Sequence, residues 1–223
     1  MIDYAMEYQG IIDSTLFRGF TKPEAARVLD AAKPQAHAFK GGDVLWRQGD
    51  KVTGIGVLTE GTLLGRRYLP DGKALVARVY NAPIPFNLEA AVSRRRTTPT
   101  SVEAQTAGTY HWLPMRSLFE NQDIDERTVR RLHQNILAQI ADDAIRFLNR
   151  SDILTQRTVR ERVLMYFEIL RAKQGSEVRT NMTQEALAGY LGVDRSSLSW
   201  ELNEMRREGL IAYKRNRYML LYD

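Results

Sequence analysis

The sequence predicts an α+β chain made of an N-terminal antiparallel β-roll (a double-stranded β-helix), a long helix and a C-terminal winged helix-turn-helix. Three observations predict it. Short apolar runs broken by turn residues fill Ala36 to Leu113, a helical period takes over after Pro114, and two short capped helices with a basic hairpin close the chain from Met182 onward.

At 223 residues and 43% hydrophobic, the chain can bury a core in each of two domains, placed at residues 1–148 and 149–223. It has no cysteine, which excludes disulfides, thiolate zinc sites and cysteine-held iron–sulfur clusters. A net charge of +5 is compatible with a polyanionic partner, so the placement of the cations must decide. No apolar run approaches the roughly 20 residues that a membrane span needs, and MIDYAMEYQGIIDST lacks the features of a secretion signal. A cytoplasmic location is therefore expected.

A short helix is expected from Lys22-Pro23-Glu24, with Ala25, Val28 and Leu29 at helical spacing. In the roll, turns fall at Gly41-Gly42-Asp43, Gly49-Asp50, Glu60-Gly61, Pro70-Asp71-Gly72, Pro83 to Pro85 and Ala107-Gly108. Between them lie strand-like runs at residues 44–46, 55–58, 63–64 and 75–80. From about 125 to 148, Val129, Leu132, Ile136, Ile140, Ala144, Phe147 and Leu148 recur every three or four residues. Leu137, Ile140 and Ile145 add apolar surface outside that stripe, so the helix needs two partners, its own domain and a second subunit. Leu132, Ile136, Ile140 and Phe147 are the candidate dimerisation residues. Asn149 to Leu154 carries no period and is read as a hinge; a further helix bears Val159, Val163, Phe167 and Leu170 and stops at Gly175.

The stretch from Met182 to Leu202 is the most informative. Thr183 is placed to cap a helix with Leu187 and Leu191 facing inward, and Gly192 to end it at a tight turn. Asp194 then opens a second helix with Leu198, Leu202 and Met205 on one stripe. Ser196, Ser199, Trp200, Asn203 and Arg207 lie opposite, a short-chained polar face that fits a major groove roughly 12 Å wide. Arg195, in the first turn, is the best base-reading candidate, since Arg to guanine is the commonest specific contact. Thr183, Gln184 and Ser197 complete the candidate contacts on these helices. Lys214, Arg215 and Arg217 occupy the hairpin after Gly209-Leu210-Ile211, where they would neutralise phosphates.

This order of roll, long helix, helix-turn-helix and wing resembles the CRP/FNR family of bacterial transcription regulators. The resemblance rests on Gly42-Asp43-Val44-Leu45-Trp46-Arg47-Gln48-Gly49, on Leu58-Thr59-Glu60-Gly61-Thr62-Leu63 and on the block from Thr183 to Ile211, and covers nearly the whole chain. It implies a homodimer through the long helix, a two-fold-symmetric DNA operator, contact with RNA polymerase and a small effector in the roll. The Gly-Glu and Arg-Ser pairs of cyclic-nucleotide-binding members are replaced by Asn87-Leu88 and Thr98-Pro99, although Glu89 and Arg94 to Arg96 lie close by. A regulator without the cyclic-nucleotide residues and without a cofactor is therefore expected. An effector would meet Phe86, Asn87 and Thr97 of the roll and Gln134 and Gln139 of the helix. Two alternatives stay open: a cupin-like metal- or ligand-binding protein that does not act on DNA, and a regulator responsive to cyclic nucleotide or to haem held by His37 or His111. The three histidines show no metal-ligand spacing, and no catalytic motif is present, so an enzyme is not expected.

Overall fold

The computed structural model describes residues 8–222. They group into two units, one taking the described residues up to Gly72 with Tyr80–Asp142, the other Lys73–Val79 with everything described from Asp143 onward.

The first unit opens with α1 (Gln9–Ile12), a 3-10 turn (Thr15–Phe17) and α2 (Lys22–Ala32). α2 starts where expected because Thr21 and Glu24 form a reciprocal capping box, with Pro23 in the first turn. The roll follows as β1 (Gln35–Phe39), β2 (Val44–Trp46), β3 (Gly54–Glu60), β4 (Thr62–Tyr68), β5 (Ala74–Asn81), β6 (Ile84–Phe86), α3 (Leu88–Val92), β7 (Ser101–Ala104) and β8 (Gly108–Pro114). The strands form two antiparallel sheets, ordered β1-β8-β3-β6 and β2-β7-β4-β5. Residues 83–85, expected as a turn, lie largely within β6: it is an edge strand, where Pro85 does not interrupt a central ladder.

Phe39, Leu58, Leu63, Tyr80, Phe86, Val102 and Ala104 form one core cluster, drawn from both sheets. Trp46 stacks on Trp112 at 5.1 Å and meets Phe86 and Tyr110 edge-on. Gly56 is required there, because a Cβ would stand 2.1 Å from the Phe86 ring. A second cluster joins Ile55 and Val57 of β3 to Ile11, Phe17, Leu29, Leu118, Leu132 and Ile136. β3 is therefore buried on both faces, and each large side chain so removed from water contributes roughly 1.5–3 kcal/mol.

After α4 (Met115–Phe119), helix α5 runs Glu126–Thr155, 30 residues or about 45 Å. Asn149 to Leu154, read from the sequence as a hinge, are helical: the segment has neither Gly nor Pro, and buried Ile153 anchors it in the second unit's core. The chain breaks instead at Gln156–Thr158, where a Thr158–Glu161 capping box starts α6 (Val159–Gln174). The seam assignment also changes. Leu132 and Ile136 are buried within their own unit and Ile140 is half-buried against the same core, whereas Phe147 is exposed. Leu137 and Leu148, at 69% and 66% exposure, carry the free apolar face with Ala141, Ala144 and Ile145.

In the second unit, α6 leads to β9 (Glu177–Arg179), α7 (Gln184–Leu191), α8 (Arg195–Arg207), β10 (Ile211–Lys214) and β11 (Arg217–Leu220), with sheet order β10-β11-β9. β9, which sequence periodicity did not reveal, is three residues long and held by antiparallel pairing with β11. Val163, Phe167, Leu187, Leu191, Leu198, Leu202, Met205, Ile211 and Tyr218 form the core.

Candidate nucleic-acid interface

Two capped helices and a turn build the interface. The Thr183 hydroxyl accepts from the Ala186 N–H, which starts α7, and Ala186, Leu187, Ala188 and Leu191 bury its inner face. Gly192 ends α7 in the left-handed region at φ 66°, strained for any side chain, and a Cβ would approach Leu154 to 3.0 Å. Two arginines meet the carbonyl end of α7. Arg162 Nη1 donates to the Leu191 and Gly192 carbonyls, while Arg150 Nε donates to that of Tyr190 and its guanidinium lies 5.0 Å over the Tyr190 ring. Cations at a helix C-terminus offset its partial negative charge.

α8 is fixed from its inner side. Leu198, Leu202 and Met205 are fully buried, and buried Glu201 accepts from Arg160 Nε at 2.6 Å. The same guanidinium donates twice to Glu208 just past the helix, at 2.7 and 2.8 Å. This fork clamps both ends of the carboxyl-terminal half of α8 to α6; Arg160 holds the Glu208 carboxyl below its usual range and is itself pushed up by the two carboxylates. Asp194 takes the extended N-cap conformation expected of it, but its side chain makes no capping bond.

Arg195, Ser196, Ser197, Trp200, Asn203 and Arg207 are exposed, and Ser199 and Gln184 are half-buried. Ser197 lies one turn before buried Glu201 and so sits on the flank of that face. Asn203 is engaged inside the protein. Its Nδ2 donates to the Ser199 carbonyl, and its Oδ1 accepts from Arg206 and from the Tyr213 hydroxyl of β10. Arg206 also covers the Tyr213 ring at 5.4 Å, and Tyr213 stacks on Tyr218, whose own hydroxyl is pushed up to about 12 by burial. Asn203 thus links the helix to the wing.

The wing closes with Lys214 opposite Arg217 and Arg215 left-handed at φ 57°. Asn216 exchanges two hydrogen bonds with Thr180, at 2.8 and 2.9 Å, which pins the tip. Lys214, Arg215 and Arg217 are exposed like Arg195, and among the described residues none of these four has an acidic partner. Arg160, Glu201, Glu208, Arg206, Tyr213 and Asn216 were not legible as site residues. Their contacts join positions up to 48 residues apart, for which no local spacing exists.

The expected effector residues do not converge. Phe86 is a core side chain of the roll, packed over Gly56. Gln139 is buried and accepts from Thr15 at 2.8 Å, Gln134 is exposed, and Thr97 bridges to Lys51. Asn87 is buried beside Thr98 at 3.4 Å, with its amide nitrogen unpartnered. An open cavity of about 430 Å³ is lined instead by Val44, Arg47, Gln48, Tyr68, Ser101 and Glu103. Among the described residues no group of three metal-ligating side chains forms; His37 stacks on Tyr110, His133 stacks on Phe119, and His111 meets Thr59.

Residues 161–223 match the family model of the Crp-like helix-turn-helix domain. No curated protein matches the sequence. The c-di-GMP-responsive global regulator CLP of Xanthomonas campestris superposes with a TM-score of 0.70 at 13% identity, over 91% of this chain and all of that one. FixK2 from Bradyrhizobium japonicum gives 0.65 at 14% identity, over 85% and 93%. A CRP-family transcriptional regulator from Thermus thermophilus gives 0.58 at 24% identity, over 83% and 92%. The C-terminal unit is a Crp-like winged helix-turn-helix, and the chain has the fold of the CRP/FNR transcription regulators that its sequence resembles. Among the described residues, no helix is long and apolar enough to cross a membrane.

Proposed function

We propose that this chain is a sequence-specific DNA-binding transcription regulator that works as a homodimer in the cytoplasm. The observation that carries the reading is the set of four cations that have no acidic partner among the described residues, Arg195 at the start of α8 and Lys214, Arg215 and Arg217 on the wing that follows this clamped helix. α8 would enter the major groove with Arg195 on a base edge, and the wing cations would take phosphates. Thr183, Gln184, Ser196 and Ser199 would add short polar contacts.

Dimerisation is supported by Leu137, Ala141, Ala144 and Leu148, spaced four, three and four residues apart along the exposed side of α5. That is the spacing of a two-stranded coiled-coil seam. Two copies of α8 would then read half-sites about one helical turn, roughly 34 Å, apart. The unit ending in α5 is read as the sensor, with Asn87 the best-supported contact for a small effector, and RNA polymerase as the partner on the promoter. An effector acts by binding one dimer geometry better than the other.

The test is selection of a duplex from a random pool, followed by binding titrations at several salt concentrations. A symmetric selected site, bound two chains per duplex with affinity falling steeply with salt, is the expected result. Failure of any sequence to enrich, or binding as a single chain, would overturn the reading.

A further inference from the structure

Trp200 is 63% exposed in the middle of α8, and the structure gives its ring no stacking or cation partner among the described residues. An indole left bare on a helix otherwise polar on that side fits an apolar partner outside the chain. Its surroundings narrow the choice. One turn earlier stands Ser196, whose short side chain leaves the space beside the ring open. Asn203, three residues on, is held by Ser199, Arg206 and Tyr213, and so does not offer the paired donor and acceptor that recognise adenine. Arg207, one turn beyond, is turned into an ion pair with Glu204. The middle of this face therefore presents hydroxyls and one large apolar ring. The major-groove edge of a base pair carries only one apolar group that such a ring can meet, the C5-methyl of thymine.

We propose that Trp200 is a specificity-determining residue that selects a thymine in each half-site through contact with its methyl group. The inference rests on the DNA-binding reading above. The experiment uses the full chain and the duplex that the wild-type protein selects, with thymines replaced one at a time by deoxyuridine, which removes the methyl and leaves base pairing intact. One position per half-site should lose about fourfold in affinity, the worth of one buried methyl, while the other replacements have little effect. In Trp200→Ala that position should become indifferent to the methyl, and Trp200→Phe should retain part of the discrimination; both variants should fold, since the side chain is largely exposed. If the wild type binds its selected site but every deoxyuridine duplex binds equally, the thymine inference falls and the regulator reading stands. An equal loss for Trp200→Ala on thymine and deoxyuridine duplexes assigns the ring to the sugar–phosphate backbone and also overturns it. Absence of any selected site sinks both.

Discussion

In the first unit, some polar side chains are engaged by neighbours within the unit. Arg66 and the Tyr68 hydroxyl both bind Glu103, Gln48 holds the backbone of Tyr68, and Gln139 is taken by Thr15. In the C-terminal unit Arg160 joins Glu201 and Glu208 on the inner side of α8 and Arg207 pairs with Glu204, whereas among the described residues Arg195 and three wing cations stand without carboxylates. The contrast teaches where to look for work. An unpaired cation in water carries little intrinsic penalty, but four at the start of this helix and on the hairpin that follows it leave their charge available to an external polyanion.

The strongest way to break this contrast is to remove the second copy while leaving both units folded. Leu137→Asp with Leu148→Asp alters only exposed positions of α5. Linking two half-site readers multiplies affinity by about 10²–10⁴. Light scattering should show a monomer, and operator affinity should fall by about that range with the melting of each unit little changed; a stable dimer would move the seam elsewhere. Arg195→Ala comes next, with a loss of about 5- to 150-fold, concentrated at one base position. A uniform loss over all sequences would make Arg195 a phosphate contact.

How much of this was legible depended on whether a feature is local. The helix opening at Lys22-Pro23-Glu24, the turn at Gly192 and the apolar stripe Leu198, Leu202, Met205 are local patterns, and each appears where periodicity and end signals put it. The wing cations were equally plain. What periodicity cannot say is which of two apolar stripes faces the chain's own core. Leu132 and Ile136 resemble Leu137 and Leu148 in the sequence, and only packing against the helices and β3 of the first unit separates them. Asn203 lies on the exposed face as its position implies, but its bond from Tyr213 ten residues later is invisible to periodicity. The supposed hinge failed because an aperiodic polar run without Gly or Pro continues a helix readily.

Arg160→Ala sharpens the inner half of the comparison. It strands the buried Glu201 carboxylate and frees Glu208, so denaturant unfolding should show a loss of about 1–3 kcal/mol for Glu201 alone, with weaker operator binding as α8 loosens. Wild-type stability would mean the clamp is ornamental. On the outer side, removing Lys214, Arg215 or Arg217 singly should flatten the salt dependence of binding by about one unit in log–log slope each. An unchanged slope would take that residue off the phosphates.

The smallest effect is on pH, and it separates the two sides of α8 again. The Glu161 carboxyl is lowered by the Thr158 N–H and hydroxyl, and the Glu208 carboxyl by the Arg160 guanidinium. A depressed folded value means that folding favours the ionised form. The contribution is fully present above the unfolded value, 4.5, and disappears as pH falls through the lower folded values. Thermal melting should therefore be level from pH 7 to about 5, then decline below that unfolded value. Both carboxyls are exposed, so solvent screening keeps the decline shallow. Arg160→Ala should remove the Glu208 share and leave the Glu161 share, giving a shallower acid limb from a lower starting stability. A decline that began well above that unfolded value, or one that Arg160→Ala left unchanged, would show that the clamp on the inner side of α8 is not what acid releases.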